Sequence, residues 1–372
     1  MVTAKMDKTM NREVSLYLDI VRITAAMVVF LGHAAGPLTH GFLWQLNSYL
    51  DAAVMIFFIL SGFVIAFVAD TKEKTFNSYV IARVSRLSSI VVPALVITVI
   101  ADQIGLFVNA DLYYGGPWGA PKNDLLNYIL SLFLVQNVWH LSMQPGMNSP
   151  FWSLSFELMF YAMFAAAFYF RGKKRYVILI LLIMASGPDI LFLFPIWILG
   201  MLSYYVLKHY SSFFTSRKYI SIFLSVLSLL LLIFGSPWIQ ANVKFDIPFL
   251  MANRSFVADY CYAILFTIHL LTVSQLLNFS LIKNVLNRFS KFIVFMGSMT
   301  FALYLFHRPL IQMFATFSDD PASIQNRLLV LGGTMIVVLT AGRWCENSKY
   351  WIKKILVNKF GENHIQVNSI KK

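Results

Sequence analysis

The sequence predicts an all-α polytopic membrane protein of about ten transmembrane helices with both termini cytoplasmic. Three observations lead there. Apolar residues make up 58% of the 372 residues and charged residues only 13%, about half the charged share of a soluble domain, and the mean hydropathy is +0.68. Ten mostly apolar runs approach the roughly 20 residues that a bilayer core requires. Basic residues cluster in alternate connections, as the positive-inside rule demands. This composition excludes a water-soluble enzyme, a nucleic-acid-binding domain and a disordered chain. The formal charge of +13 therefore reads as membrane topology. Cys261 and Cys345 give neither a disulfide framework nor a zinc pattern, and no metal is expected.

The runs are 16–35, 52–70, 90–108, 151–170, 176–187, 189–207, 219–235, 257–277, 292–313 and 328–343. Residues 1–15 are polar and basic and lack a signal-cleavage pattern, so the first run is read as a retained span. The fifth run is short, and Ser186-Gly187-Pro188-Asp189 after it fits either a turn or a kink. Charge decides for the turn. Lys5, Lys8 and Arg12 precede the first span, and Lys72, Lys74, Arg83 and Arg86 follow the second. Arg171, Lys173, Lys174 and Arg175 follow the fourth. Lys208, Arg217 and Lys218 follow the sixth, Lys283, Arg288 and Lys291 the eighth, and Arg343 with six lysines the tenth. That puts 24 of 30 basic residues on one side, against Lys122, Lys244, Arg254 and Arg327 on the other. One kinked helix over 176–207 would carry the 208–218 cluster to the wrong side. The organisation is a cytoplasmic segment 1–15, a membrane domain 16–346 and a basic tail 347–372 that either lies on the inner leaflet or only anchors topology. The longest outer connection, 109–150, holds Gly115-Gly116-Pro117, Pro145-Gly146 and a helix-like stretch at 125–138. A connection of that length is more often functional than not.

Ionisable groups within spans cost about 2.5–3.5 kcal/mol each at the helix centre, so each needs a reason. Asp19 and Arg22, three apart, can pair. Arg22 and His33, eleven apart, share a face and lie about 16 Å from each other along the axis. In the fourth span Ser153, Glu157 and Tyr161 form a stripe, following Trp152. In the ninth, Thr300, Tyr304 and His307 do the same, and Arg308 can snorkel outward. Salt bridges and helix-packing hydrogen bonds are the plain alternatives. His33, Glu157 and His307 all fall in the outer halves of their spans, which suggests one polar cavity opening outward. On the inner side, Arg83 and Arg86 share a helix face that suits phosphate oxygens or topology anchoring alone. Ser61-Gly62 in the second span reads as close helix packing. His269 has no supporting pattern and reads as structural.

In sequence order, these motifs resemble the integral-membrane acyltransferase-3 family, over roughly 15–346. Leu18-Asp19-Ile20-Val21-Arg22 with His33 resembles its first-helix signature, and Phe57-Phe58-Ile59-Leu60-Ser61-Gly62-Phe63 its second. Arg83-Val84-Ser85-Arg86 resembles its paired arginines. Trp152-Ser153-Leu154-Ser155-Phe156-Glu157 with Phe160-Tyr161 is similar to its Trp-Ser-Leu…Glu…Phe-Tyr motif. Leu303-Tyr304-Leu305-Phe306-His307-Arg308-Pro309 is similar to its Tyr-Leu…His…Pro motif, and Glu346 sits where a glutamate often closes the last span. The chain departs at Ser89, where the family often has Pro, at Asp51-Ala52-Ala53, which replaces a glycine-rich approach, and at Asn347, where Arg-Pro is common.

The resemblance implies transfer of an acyl group, most often acetyl, from cytoplasmic acyl-CoA to a hydroxyl of a cell-surface or exported polysaccharide such as O-antigen (lipopolysaccharide), capsule or exopolysaccharide, at the inner (plasma) membrane. It implies that Arg83 and Arg86 hold the CoA phosphates, with Arg22 along the pantetheine path. His33 would act as general base or form a transient acyl-histidine. Glu157 would orient His33 or hold the acceptor. Asp19, Ser61, Trp152, Ser153, Tyr304 and His307 would line the pocket. The bilayer and a glycan acceptor are the expected partners, with no nucleic acid. A proton-coupled exporter of a glycan or small metabolite is the competing class. It would accumulate substrate without releasing CoA, and no repeat between halves supports it.

Overall fold

The computed structural model describes residues 11–114, 124–245, 250 and 255–360, and these contain helices and turns with no strand. Helix α1, Arg12–Ala34, starts where Asn11 Oδ1 accepts the Val14 N–H at 2.8 Å, with Glu13 in its positive first turn. Two 3₁₀ turns lead to α2, Leu50–Thr71, and a short link leads to α3, Phe76–Tyr114, kinked at Asn109. Asp124 caps the short α4, Leu125–Leu132. Then come α5 (Trp152–Tyr169), α6 (Gly172–Ser186), α7 (Pro188–Ser216) and α8 (Lys218–Asn242). Ser255 caps α9, Phe256–Thr272, which α10, Ser274–Leu277, extends. Helices α11 (Ser280–Arg288), α12 (Ser290–Ala315) and α13 (Ile324–Leu328) follow, and a π-helical turn at Leu329–Gly333 joins α13 to α14, Thr334–Phe360.

Among the described residues, nine helical stretches are long and apolar enough to cross a membrane. The fifth expected span is present as α6, only 15 residues long. It is separate from α7 because Gly187 takes φ +80° and Pro188 begins the next helix. Two boundaries differ from expectation. The third helix begins at Phe76, not near 90, because hydropathy registers the polarity of Arg83, Ser85, Arg86 and Ser88 but not their helicity. The last helix runs unbroken through Glu346 to Phe360, past the expected end of the tenth span at 343. The expected helix-like stretch 125–138 stops at Leu132. Residues 1–10, Gly115-Gly116-Pro117 and the tail beyond 360 lie outside the described residues.

Two crossings fix the frame around the site. A Cβ added at Gly62 would lie 2.1 Å from the Trp197 carbonyl oxygen, and one at Gly200 would lie 2.0 Å from that of Ile59. Helices α2 and α7 therefore touch backbone to backbone, through reciprocal glycines. Helix α12 packs against α1, α3 and α14. Its Gly297 admits Asp19, whose Cβ would be 3.0 Å from an added Cβ.

Prolines inside helices free a carbonyl four residues back, and two of these carbonyls are refilled from outside their helix. Pro309 frees Leu305 O, which accepts Asn148 Nδ2 at 2.8 Å, and Pro237 frees Ile233 O, which accepts the Tyr49 hydroxyl at 2.9 Å. Asn148 also donates to Thr98 Oγ1 at 2.9 Å. Nearby, the buried Asp102 on α3 accepts the Tyr113 hydroxyl at 2.5 Å and the Met147 N–H at 3.3 Å. Gly146, at φ +51°, is required there because a Cβ would fall 1.9 Å from Asp102 Oδ2. These bonds pin the long connection against the C-terminal halves of α3 and α12.

Candidate active site

Five helices enclose one cavity of about 850 Å³, counting its opening. Arg22 comes from α1, Ser61 from α2, and Arg83 and Arg86 from α3. Ser153, Glu157 and Tyr161 come from α5, and Thr300, Phe301 and Tyr304 from α12. The i, i+4 stripes expected on α5 and α12 thus both face it.

The arginine end carries three guanidiniums with different commitments. Arg22 Nη1 donates to Asp19 Oδ1 at 3.3 Å. Arg83 Nη2 donates to Glu73 Oε1 at 2.6 Å, and its guanidinium lies over the rings of Tyr79 (5.2 Å) and Tyr161 (5.7 Å). Burial pushes the Glu73 carboxyl, in the link before α3, above the usual range, against the pull of Arg83. Arg86 lies 5.7 Å from the Phe301 ring and has no carboxylate partner among the described residues. It is also the one exposed member of the lining.

In the middle, Glu157 Oε1 accepts the Tyr161 hydroxyl and, at 3.2 Å, the Ser61 hydroxyl. Trp197 Nε1–H donates to Ser61 Oγ at 3.2 Å, which aims the serine proton toward Glu157 and Tyr161. No bond to Glu157 Oε2 is present among the described residues, so one carboxylate oxygen is left for a ligand.

At the far end, Ser153 Oγ and the Tyr304 hydroxyl are 2.9 Å apart, and Phe57 packs edge-on against Tyr304 at 5.7 Å. Arg86, the exposed member of the lining, marks an opening at the arginine end.

Beyond Tyr304, outside the lining, His33 and His307 meet. His33 Nδ1 lies 2.8 Å from His307 Nε2, with the rings stacked at 5.1 Å. His307 Nδ1 lies 2.9 Å from Leu303 O. A carbonyl only accepts, so His307 Nδ1 carries that ring's proton and Nε2 accepts. With one proton per ring, His33 must donate from Nδ1, which leaves the lone pair on His33 Nε2. His307 is fully buried and His33 half-buried.

The expected residues thus divide. Arg22, Ser61, Arg83, Arg86, Ser153, Glu157 and Tyr304 share the cavity. His33 and His307 pair next to it. Asp19 stands behind Arg22, and Trp152 packs edge-on against the lining residue Phe58 at 6.2 Å without itself lining the cavity. His33 is bonded to His307 and not to Glu157. His269 receives the Tyr17 hydroxyl and donates from Nδ1 to Ser225 O at 2.9 Å, a buried cross-helix tie. Glu73, Tyr79 and Trp197 were not foreseen. Tyr79–Arg83 at i, i+4 was a usable signal, whereas Trp197 is brought in by the α2–α7 crossing. Among the described residues no three His, Cys, Asp or Glu side chains cluster as metal ligands.

The chain's residues 15–343 match the family model described as an acyltransferase domain, in the acyltransferase-3 family. No curated protein and no solved structure matches the chain.

Proposed function

The chain belongs to the acyltransferase-3 family and is a multi-pass membrane acyltransferase, and from that premise we propose that it moves an acetyl group from cytoplasmic acyl-CoA to a hydroxyl of an exported or cell-surface polysaccharide. Membership favours the enzyme over the exporter. The observation that carries the finer reading is the shared cavity. Its exposed end presents Arg86 beside Arg22 and Arg83, and its Tyr304 end adjoins a histidine pair. The donor enters at the arginines, on the basic face that the charge pattern assigns to the cytoplasm, in the inner membrane. Arg86 binds the donor phosphates, because Arg83 and Arg22 already hold carboxylates. Glu157 Oε2 accepts from a polar N–H or O–H of the bound substrate. The acceptor approaches His33 from beyond Tyr304.

His33 Nε2 takes the proton of the sugar hydroxyl as its oxygen attacks the thioester carbonyl carbon. The carbon–sulfur bond then breaks, and the leaving thiolate takes the proton back from His33. The products are the sugar ester and CoA thiol. During attack His307 Nε2 holds the Nδ1–H of the imidazolium, so the ring keeps its orientation while it is charged.

The test uses purified protein in nanodiscs with radiolabelled acetyl-CoA and lipid-linked glycans. Arg86→Ala is expected to raise the donor KM at least tenfold with kcat little changed, the loss of one charge-assisted bond pair. His33→Ala is expected to lower kcat by about 10²–10⁴. Label transfer in His33→Ala equal to wild type, or no thioester consumption with any acceptor, overturns the reading.

A further inference from the structure

A second cavity, about 830 Å³ counting its opening, lies between α3, α5 and α6. Its walls are almost entirely apolar. Ala162, Ala165 and Ala166 on α5 leave the space, and Val84, Ile178 and Leu182 border it from the neighbouring helices. Helix α6 does not fill it, since only Ser186 of α6 is buried. Along α3 it extends from Phe76 to Leu87, about 16 Å at 1.5 Å per residue. A partner helix of that length and about 10 Å diameter would occupy about 1,250 Å³, more than this groove offers. What fits is a single flexible apolar chain.

The groove has a polar end. Phe170 lines it, the Lys174 ammonium lies 4.8 Å from the Phe170 ring, and Arg175 Nε donates to Phe170 O at 2.7 Å. Arg171 and Lys173 adjoin them, exposed. The occupant's head is therefore anionic. The groove also shares Arg83, Leu87 and Tyr161 with the active cavity. Whatever fills it presses on the groups that position Glu157.

We propose that this groove holds one acyl chain of an anionic phospholipid from the leaflet on the basic side, with its phosphate at Lys174 and Arg175, and that the bound chain supports the Arg83–Tyr161 wall of the active cavity. The site lies outside the reaction chemistry, and its primary test does not read activity. The probe is phosphatidylglycerol carrying a photoactivatable diazirine in its acyl chain, at one part in five in phosphatidylcholine nanodiscs holding the full chain. Mass spectrometry of the cross-linked peptides is the readout. Cross-links are expected to concentrate on residues 158–182 and 76–87, and to be depleted when the probe is the phosphatidylcholine analogue. Lys174→Gln is expected to lower labelling about fivefold, the contribution of one basic residue near a charged surface. Ala162→Phe fills the groove and abolishes labelling. Val84→Trp fills it from the exposed side, 45% open, and does so without disturbing a buried position. Labelling spread evenly over the lipid-facing helices, or unchanged in both filled variants, overturns the site. Equal labelling by the two probes overturns the anionic head.

Discussion

His307 carries the most exacting prediction, because it concerns a single lone pair. The structure makes His307 Nε2 the acceptor for the His33 Nδ1–H at 2.8 Å. Glutamine at 307 places its amide oxygen close to the position of Nε2, whereas asparagine reaches only as far as Nδ1. The Nδ1 bond to Leu303 O is dispensable, since that carbonyl also accepts the helical N–H of residue 307. His307→Asn therefore removes the acceptor, and His307→Gln keeps it. A hydrogen bond to a group that becomes charged is worth about 1.5–3 kcal/mol, so His307→Asn is expected to lower kcat by about 10- to 150-fold. His307→Gln is expected to stay near wild type, with KM for both substrates unchanged in each variant. Steady-state kinetics in nanodiscs measure this, with the same pair repeated in a His33→Ala background. There the asparagine should cost nothing further, since a residue acting through another loses its effect when the other is gone. Equal losses in the two variants, or an asparagine penalty that persists without His33, would refute the assignment of His307 as a positioning residue.

Two further outcomes follow from the packing and the electrostatics. Gly62→Ala and Gly200→Ala should each lower the thermal midpoint in detergent by an overpacking cost of about 1–3 kcal/mol, and should weaken activity by drawing Trp197 away from Ser61. Midpoints unchanged in both would remove the backbone contact of α2 and α7. Arg83→Met should destabilise by about 3 kcal/mol by leaving the Glu73 carboxyl buried without its cation, whereas Glu73→Gln with Arg83→Met should match or exceed wild-type stability, because desolvation outweighs attraction in this pair. Burial raises the Glu73 carboxyl, so its contribution is present below the ordinary glutamate value and is lost as pH rises through the raised one. Thermal midpoints across that window should show this fall in wild type and not in the double variant.

Much of this architecture was legible because hydrophobic runs and basic clusters are dictated by the bilayer itself. Span lengths follow from the apolar runs, the break at Gly187 from charge placement, and the stripes Ser153–Glu157–Tyr161 and Thr300–Tyr304–His307 from periodicity. Less legible was anything set by how helices cross. The spacing of Arg22 and His33 puts them on one face but does not show that Tyr304 stands beside the histidine pair, at the end of the lining. The resemblance leaves Glu157 either to orient His33 or to hold the acceptor, whereas the packing of α1 on α12 gives His33 another imidazole as its hydrogen-bond partner. Spacing makes Arg83 and Arg86 look alike, whereas in the fold Glu73, ten residues before Arg83, accepts from its Nη2 and Arg86 has no carboxylate partner among the described residues. Hydropathy also misplaced the ends of α3 and α14, since an amphipathic turn with arginines is helical without being apolar.

The histidine contact bridges 274 residues of sequence. During synthesis at about 5–20 residues per second, α1 enters the bilayer about 15–55 s before α12 emerges. Through that interval the imidazole of His33 lacks the His307 acceptor. The nascent N-terminal helices satisfy that ring with the carbonyl one turn back, at the headgroups or in the insertion machinery until the C-terminal quarter arrives. Shortened chains ending before α12 should integrate poorly and draw quality-control proteases. Acyl transfer then appears all at once, as the final step of assembly.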